Sequence, residues 1–153
     1  MTTENEYRTD GPPPVVEWTD DGDKAWFLNG RRHRTDGPAI EWADGTKEWF
    51  LNGVLHREDG PAREWTDGTR EWWIRGEKHR VDGPALEFWN GHKEWWIQGK
   101  LHRTVGPAIL YTNGAKEWWI NGNKVAKKKV NEFRHRVFLK SLIVNRRSCK
   151  FFH

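Results

Sequence analysis

Residues 56–80 read HREDGPAREWTDGTREWWIRGEKHR, a stretch that ends on the same His-Arg pair with which it begins. The pair recurs at intervals of 23 residues, beginning at His33, His56, His79 and His102. Tyr7-Arg8 is a degenerate earlier copy. A fixed period of this length indicates a repeat protein. Glycines recur every 7 or 8 residues from Gly45 to Gly114, and this density excludes a helical repeat.

Each repeat contains one dipeptide that is typical of a tight hairpin turn. The four dipeptides are Asp44-Gly45, Asp67-Gly68, Asn90-Gly91 and Asn113-Gly114. A short strand is predicted before the turn, at 39–42, and another after it, at 46–51. Residues 54–61 then connect one hairpin to the next. Two strands and a loop are preferred over three strands, because an odd number of antiparallel strands would invert alternate repeats.

The period therefore predicts an all-β repeat solenoid of antiparallel hairpins in an open sheet, with five repeats of about 23 residues in 1–122. A three-sided parallel β-helix with glycine corners is the alternative. In either solenoid a repeat buries its apolar face only against its neighbours. The twelve tryptophans and seven phenylalanines are predicted to form an aromatic core.

Residues 123–153 form a basic segment with ten Lys or Arg and one acid, a charge of +9, so that 1–122 carry −5 of the total of +4. Apolar residues at three-to-four-residue spacing predict an amphipathic α-helix over about 124–144. Val105 and Leu110 replace acids of the earlier repeats. We expect the helix to cap the solenoid and cover these two side chains.

The repeat also contains W-x-x-G-x-x-H, as in Trp73 to His79, Phe50 to His56 and Trp96 to His102. This motif resembles the MORN repeat, in a variant bacterial or viral form, over about 7–122. The resemblance implies a row of antiparallel hairpins used as a scaffold or binding surface, with protein partners, dimerisation or phospholipid as ligands. Units with Asp-Gly-Pro-Ala are similar to those of phages and large DNA viruses, which implies a host-directed role. The usual Gly-x-Gly after the histidine is replaced here by Arg-x-Asp-Gly-Pro-Ala.

Two aromatic rows are predicted on opposite faces of the sheet, because successive side chains of a strand alternate. The first row is expected in the core and contains Trp49, Trp72, Trp95 and Trp118. The second row shares its face with glutamates and contains Phe27, Phe50, Trp73, Trp96 and Trp119. That second face is a candidate binding groove; the competing interpretation is that both faces are covered.

Arginine forms a third row, which consists of Arg34, Arg57, Arg80 and Arg103. Guanidinium groups bind phosphates, and tryptophans beside them suit stacked bases. In-register acids such as Asp59 and Glu64 favour internal pairing instead. Departures from the repeat suggest a ligand-proximal cluster of Arg63, Trp73, Trp89, His92 and Trp96.

An active site is not predicted, because it needs one unique arrangement of residues, whereas the repeats supply the same residues four or five times. The histidines lack the neighbours of a metal site, and packing or hydrogen bonding to a turn backbone is the expected role. We expect no enzyme, no cofactor and no metal. A protein partner is the leading prediction; nucleotide or nucleic acid, and an anionic membrane surface bound by the basic tail, are the alternatives.

The location is expected to be cytoplasmic, in the host cytoplasm if the protein is viral. Cys149 is the single cysteine, no apolar stretch at the N-terminus resembles a signal peptide, and no apolar run approaches the length of a membrane span.

Overall fold

A computed structural model describes the backbone of residues 14–148 and the side chains of residues 14–137. This part of the chain contains eighteen short strands and one helix. In chain order the strands are Val15–Trp18 (β1), Lys24–Leu28 (β2), Arg31–Arg32 (β3), Ile40–Glu41 (β4), Lys47–Glu48 (β5), Phe50–Leu51 (β6), Val54–Leu55 (β7), Arg63–Glu64 (β8), Arg70–Glu71 (β9), Trp73–Ile74 (β10), Glu77–Lys78 (β11), Leu86–Glu87 (β12), Lys93–Glu94 (β13), Trp96–Ile97 (β14), Lys100–Leu101 (β15), Ile109–Leu110 (β16), Lys116–Ile120 (β17) and Asn123–Val125 (β18). The helix, α1, spans Lys127–Ser148.

The first hairpin of each repeat turns at the predicted Asp-Gly or Asn-Gly pair. In the second repeat the Gly45 N–H donates to the Trp42 carbonyl at 2.9 Å, and the Trp42 N–H donates to the Thr46 carbonyl at 2.9 Å. Within this turn, residues 42–46, only Gly45 has a positive φ angle, which is 92°. This pattern is a type I turn followed by a left-handed glycine, rather than a turn with two positive φ angles.

A second hairpin follows within the same repeat, where a connecting loop was predicted. Val54–Leu55 pairs antiparallel with Phe50–Leu51. Its turn has positive φ at both Asn52 (53°) and Gly53 (85°), the geometry of a two-residue hairpin loop. Assigning all of 54–61 to a connection was wrong, because Asn52-Gly53 is itself a hairpin signal, even though Arg75 and Gln98 replace the asparagine in the next two repeats.

The first hairpins lie side by side in one twelve-stranded sheet, in the order β1-β2-β4-β5-β8-β9-β12-β13-β16-β17-β18 with β3 paired to β2. The second hairpins β6-β7, β10-β11 and β14-β15 form separate two-stranded sheets. Every strand pairing within residues 14–125 is antiparallel. This confirms the prediction of antiparallel hairpins, whereas a parallel β-helix needs parallel pairing between coils.

The register of the large sheet separates two faces. Glu48 lies opposite Ile40 on one neighbouring strand and opposite Arg63 on the other, and Arg63 lies opposite Glu71. We call the side that carries these residues the glutamate face; its aromatic residues are Phe50, Trp73, Trp96 and Trp119. The other side, which we call the arginine face, carries Trp26, Trp49, Trp72 and Trp95 together with Arg34, Arg57, Arg80 and Arg103. The predicted separation of the two aromatic rows is confirmed.

The buried core consists mainly of small aliphatic residues: Ala39, Ile40, Phe50, Ala62, Ala85, Leu86, Ala108, Ile109 and Val130. Trp49, Trp72 and Trp95 are half-buried, so the prediction of a core made by this tryptophan row was wrong. Each of these rings contacts an arginine on one side, as described below, and therefore does not pack against apolar groups on both sides. The alanine that follows Gly-Pro in each of the last four repeats has no exposed surface.

The C-terminal helix was predicted from about 124 and begins at Lys127, because Asn123–Val125 instead pairs with Trp118–Ile120. Val130 is 2% exposed, and the ring of Phe133 lies edge-on to His102 at 6.2 Å. The helix therefore packs on the last repeat. Val105 is 71% exposed, so the expectation that the helix covers this side chain was wrong. Val137 is also exposed.

Candidate functional site

The four arginines of the arginine face each stack on a tryptophan. The guanidinium carbon of Arg57 lies 4.0 Å from the centre of the Trp49 ring, and the corresponding distances for Arg34, Arg80 and Arg103 are 4.1, 3.9 and 3.7 Å. A cation over a tryptophan face is attracted by the electron density of the ring. The stacking fixes where each guanidinium lies on this face.

Three of the four arginines are also bound to acids of their own repeat. Arg57 donates from Nε to Asp59 at 2.8 Å and from Nη1 to Glu64 at 3.1 Å and to the carbonyl of Pro61 at 3.2 Å. Arg34 and Arg80 make the same three contacts in their repeats. These arginine hydrogen bonds lower the pKa of Asp36, Asp59 and Asp82 below the ordinary value. The predicted pairing of arginines with acids is confirmed for these repeats.

A glycine of the repeat leaves room for this arrangement. A Cβ atom on Gly60 would lie 2.9 Å from the Cζ of Arg57, and Gly37 and Gly83 are in the same relation to Arg34 and Arg80. Van der Waals contact between carbon atoms requires about 3.5 Å. A side chain in place of the glycine of Asp-Gly-Pro-Ala would therefore push against the stacked guanidinium.

Arg103 differs from the other three arginines because its repeat has Val105 and Leu110 where they have Asp and Glu. It stacks on Trp95 and donates from Nη1 to the carbonyl of Pro107 at 3.2 Å. Within the described residues its guanidinium makes no ion pair with a carboxylate. Burial lowers the pKa of Arg103, because removing a cation from water disfavours the charged form.

Clefts lie between successive arginine-bearing loops. The largest has a volume of about 840 Å³ and is lined by residues that include Arg34, Asp36, Trp49, Arg57 and Asp59. The next two clefts along the face have volumes of about 420 and 290 Å³. Each of the three clefts is lined by charged side chains and one tryptophan, so similar clefts repeat along the arginine face.

On the glutamate face, each predicted tryptophan is bonded to the acid two residues before it. The indole N–H groups of Trp73, Trp96 and Trp119 donate to Glu71, Glu94 and Glu117 at 2.7, 2.8 and 2.9 Å. The three rings are half-buried. Phe50 is 9% exposed and packs beside Ile40 and Leu55. The expectation of an accessible aromatic row was therefore wrong at Phe50.

The five residues of the predicted ligand-proximal cluster come together only in pairs. Arg63 Nε lies 2.9 Å from Glu48 and its Nη1 lies 3.7 Å from Glu71, the acid to which Trp73 donates. His92 Nε2 lies 2.9 Å from Glu94, the acid to which Trp96 donates. Trp89 lies in the turn of the fourth repeat and its side chain is 67% exposed. Glu71 links Arg63 to Trp73, and Glu94 links His92 to Trp96, so the five residues do not line one ligand pocket.

Aromatic residues that the sequence prediction did not single out lie where the first strand enters its turn, and all of them except the half-buried Trp65 are exposed. One occurs in each of the last four repeats: Trp42, Trp65, Phe88 and Tyr111. We call these four residues together with Trp89 the turn edge. Trp42, Phe88 and Tyr111 are 37–39% exposed. The imidazole of His92 lies between Phe88 and Tyr111, with ring centres 5.2 and 5.1 Å away. An aromatic residue at this point of the repeat was the available signal.

Acidic side chains border the turn edge at its N-terminal end. A cleft of about 410 Å³ is lined by Trp42, Trp65, Thr46 and four acids, which are Asp21, Asp23, Asp44 and Glu48. Asp23 and Asp44 accept hydrogen bonds from the backbone N–H groups of Ala43 and Thr46. Their positions are therefore held by the turns, and the cleft combines aromatic surface with negative charge.

The repeated histidines connect consecutive repeats. The Nδ1 of His33, His56, His79 and His102 accepts a hydrogen bond of 3.0–3.2 Å from the backbone N–H nineteen residues later. Each donor residue has positive φ and lies in the turn of the second hairpin that follows the histidine along the chain. The predicted hydrogen bond to a turn backbone is confirmed. Among the described residues, no three His, Cys, Asp or Glu side chains are grouped to hold a metal ion.

No protein-family model matches this chain, and no curated protein is significantly similar to it. Among the described residues, no helix combines the length and the apolar character needed to cross a membrane.

Proposed function

We propose that the chain is a non-enzymatic, MORN-like repeat scaffold that binds a protein partner through the turn edge. The observation that supports this role is the set of exposed aromatic side chains beside the turns of the second, fourth and fifth repeats, with the half-buried Trp65 at the same place in the third. Contiguous aromatic surface is uncommon on monomers and typical of binding sites. Aromatic residues also dominate the energy of protein interfaces.

The charge around the turn edge indicates the chemistry of the partner. Asp21, Asp23, Asp44 and Glu48 surround the cleft at Trp42 and Trp65, and residues 1–122 have a net charge of −5 while the chain has +4. A complementary surface would present Lys or Arg beside apolar groups. The proposed partner is thus a cytoplasmic protein with a basic and apolar contact surface.

The antiparallel hairpins support a MORN-like arrangement, and the pairing of the arginines weighs against the nucleotide alternative. Arg34, Arg57 and Arg80 already donate to two carboxylates each. A phosphate would have to displace these acids. The basic tail supports a second role, attachment to anionic lipid, because Lys127, Lys128 and Lys129 are all exposed at the start of α1.

The test begins with purification of the protein from its host cells and native mass spectrometry, with absorbance at 260 nm compared with 280 nm. A protein recovered in the complex is then purified and its Kd measured against the wild type and variants. We expect Trp89→Ala combined with Tyr111→Ala to raise the Kd by about tenfold or more. Val54→Ala is the control, because Val54 is an exposed apolar residue of β7 outside the turn edge.

Equal binding by the wild type and the turn-edge variant would contradict the proposed site. Excess absorbance at 260 nm with a bound nucleotide mass would favour sequestration of a nucleotide or nucleic acid. Flotation with vesicles of phosphatidylserine and phosphatidylcholine, lost on changing Lys127, Lys128 and Lys129 to Gln, would favour lipid attachment.

A further inference from the structure

The last arginine of the arginine face has the surroundings of a binding site whose carboxylate the described residues do not supply. In three repeats a guanidinium stacks on tryptophan and its Nε donates to an aspartate at 2.8–3.0 Å. In the last repeat the arginine is retained and the aspartate is replaced by Val105. Leu110 likewise replaces the glutamate that accepts from Nη1 in the other three.

Although both acids are absent, Arg103 keeps the stacked position that the other three arginines have. Its guanidinium lies 3.7 Å from the centre of the Trp95 ring, the shortest of the four distances, and Nη1 still donates to the Pro107 carbonyl. A Cβ on Gly106 would lie 3.1 Å from Nη1. The donors are therefore held in position by packing, and ordering them would cost little when a ligand binds.

We propose that Arg103 binds a carboxylate of a protein partner, an Asp or Glu side chain or a C-terminal carboxylate, in the position that Asp36, Asp59 and Asp82 occupy in the earlier repeats. The proposal rests on the proposed function only in assigning the carboxylate to a protein. The three complete repeats show the contact to be formed, from Nε to one carboxylate oxygen with Nη1 near a second acceptor.

The surroundings favour a monovalent carboxylate over a phosphate. The cleft beside Arg103 has a volume of about 290 Å³ and is lined by Trp95, Ile97 and Val105 as well as by Arg80 and Asp82. Arg80 is already bound to Asp82 and Glu87. The Arg103 guanidinium carries one positive charge and lies among apolar groups with an acid, Asp82, nearby. It therefore matches a ligand with one negative charge, whereas a phosphate dianion would be repelled by Asp82.

Within the described residues no acid pairs with Arg103 in place of the missing aspartate and glutamate, and Glu132 is an exposed residue of α1. No Asp or Glu occurs in 138–153, whereas Glu4, Glu6 and Asp10 lie outside the described residues. Val105 is largely exposed, so a partner can approach the guanidinium from the side where the aspartate would otherwise stand. An acidic residue followed by an apolar group would fit both Arg103 and Val105.

The test uses the Nε–Hε NMR signals of the arginines in the full chain, assigned with Arg→Lys variants. Sodium acetate and N-acetylglycine are the carboxylate probes, and sodium chloride and inorganic phosphate are compared at equal ionic strength. We expect either carboxylate to shift the Arg103 signal saturably while the signals of Arg34, Arg57 and Arg80 stay in place. These three arginines are controls within the same molecule.

Two variants make the result specific. Val105→Asp should supply the missing acid, move the Arg103 signal towards those of the other arginines and weaken the acetate response by about tenfold or more; Val105→Asn is the neutral control and should retain the response. Asp82→Val should give Arg80 an acetate response. Dispersed amide signals verify that each variant is folded.

An Arg103 signal that responds no more than Arg57, or that responds equally in Val105→Asp, overturns the proposal. A response to phosphate without one to carboxylates also overturns it. None of these outcomes involves the turn edge, so failure at Arg103 is distinguishable from failure of the proposed partner site.

Discussion

The Nδ1 of His56 accepts a hydrogen bond of 3.0 Å from the backbone N–H of Arg75, which has a φ of 54° and lies in the turn of the next second hairpin along the chain. His56 is mostly buried, with a side-chain exposure of 13%. We expect His56→Ala to lower the free energy of unfolding by about 1–3 kcal/mol, because it removes both the acceptor and ring packing. Urea denaturation at neutral pH measures the loss.

Two further variants separate the hydrogen bond from the loss of a side chain. His56→Asn should recover part of the stability, since an amide oxygen can accept from the same N–H. His135→Ala changes an exposed histidine of α1 and should alter the unfolding free energy by less than about 0.5 kcal/mol. If His56→Ala were as mild as His135→Ala, the contact between repeats would have no energetic importance.

Gly60 tests the packing of the arginine face. A Cβ added there would lie 2.9 Å from the Cζ of Arg57, so Gly60→Ala should lower the free energy of unfolding by about 1–3 kcal/mol through overpacking. Gly106→Ala should cost less, because the nearest atom is 3.1 Å away and Arg103 has no acid to hold it. Chemical denaturation measures the loss of unfolding free energy in both variants, and Gly60→Ala is repeated in an Arg57→Ala background. The full loss should appear only where the guanidinium is present and paired.

Acid should weaken the arginine face. Arginine hydrogen bonds lower the pKa of Asp36, Asp59 and Asp82 in the folded protein from the ordinary value of 3.8. A lowered folded pKa adds stability that is complete above the ordinary value and disappears as pH falls through the folded value. The triple variant with Asn at these positions should therefore be less stable than the wild type at pH 6, and the difference should vanish by about pH 2.

Thermal unfolding of both proteins between pH 6 and pH 2 makes this comparison. Asp20→Asn/Asp67→Asn is a control, because these exposed aspartates make no ion pair among the described residues. A stability difference that persisted unchanged at pH 2 would mean that it does not arise from the aspartate charges.

The repeat, its hairpins and the helix were predictable because glycine turns and three-to-four-residue spacing act over short distances along the chain. Asp44-Gly45 and its equivalents located the first hairpin. Asn52-Gly53 marked the second hairpin as well, but Arg75 and Gln98 replace the asparagine in two repeats, so this signal does not recur with the full period. The core was misjudged because alanines such as Ala62 fill little volume, and nothing local shows that a strand buries them completely.

The candidate sites also combine features that nearby residues predict with features that depend on how hairpins meet. Pairing of Arg57 with Asp59 was predictable from two residues of separation, but the stacking of Arg57 on Trp49 depends on how two hairpins meet. Trp42 and Tyr111 are regularly spaced aromatics, and a regular aromatic in a strand is most often a core residue. Their exposure follows from their place beside the turn, which only the arrangement of neighbouring repeats determines.

Arg63 provides the last prediction, because it occupies a place on the glutamate face where other repeats have Ile40, Leu86 or Ile109. It lies between Glu48 and Glu71, whose side chains are 11% and 10% exposed. Arg63→Leu restores an aliphatic residue but leaves Glu48 without its cation, so we expect the free energy of unfolding to fall by about 2–4 kcal/mol. Urea denaturation of Arg63→Leu alone and combined with Glu48→Gln measures the effect. The double variant should regain much of the loss, since the uncompensated charge is removed; a loss that stayed the same would show that Arg63 acts by packing rather than by charge.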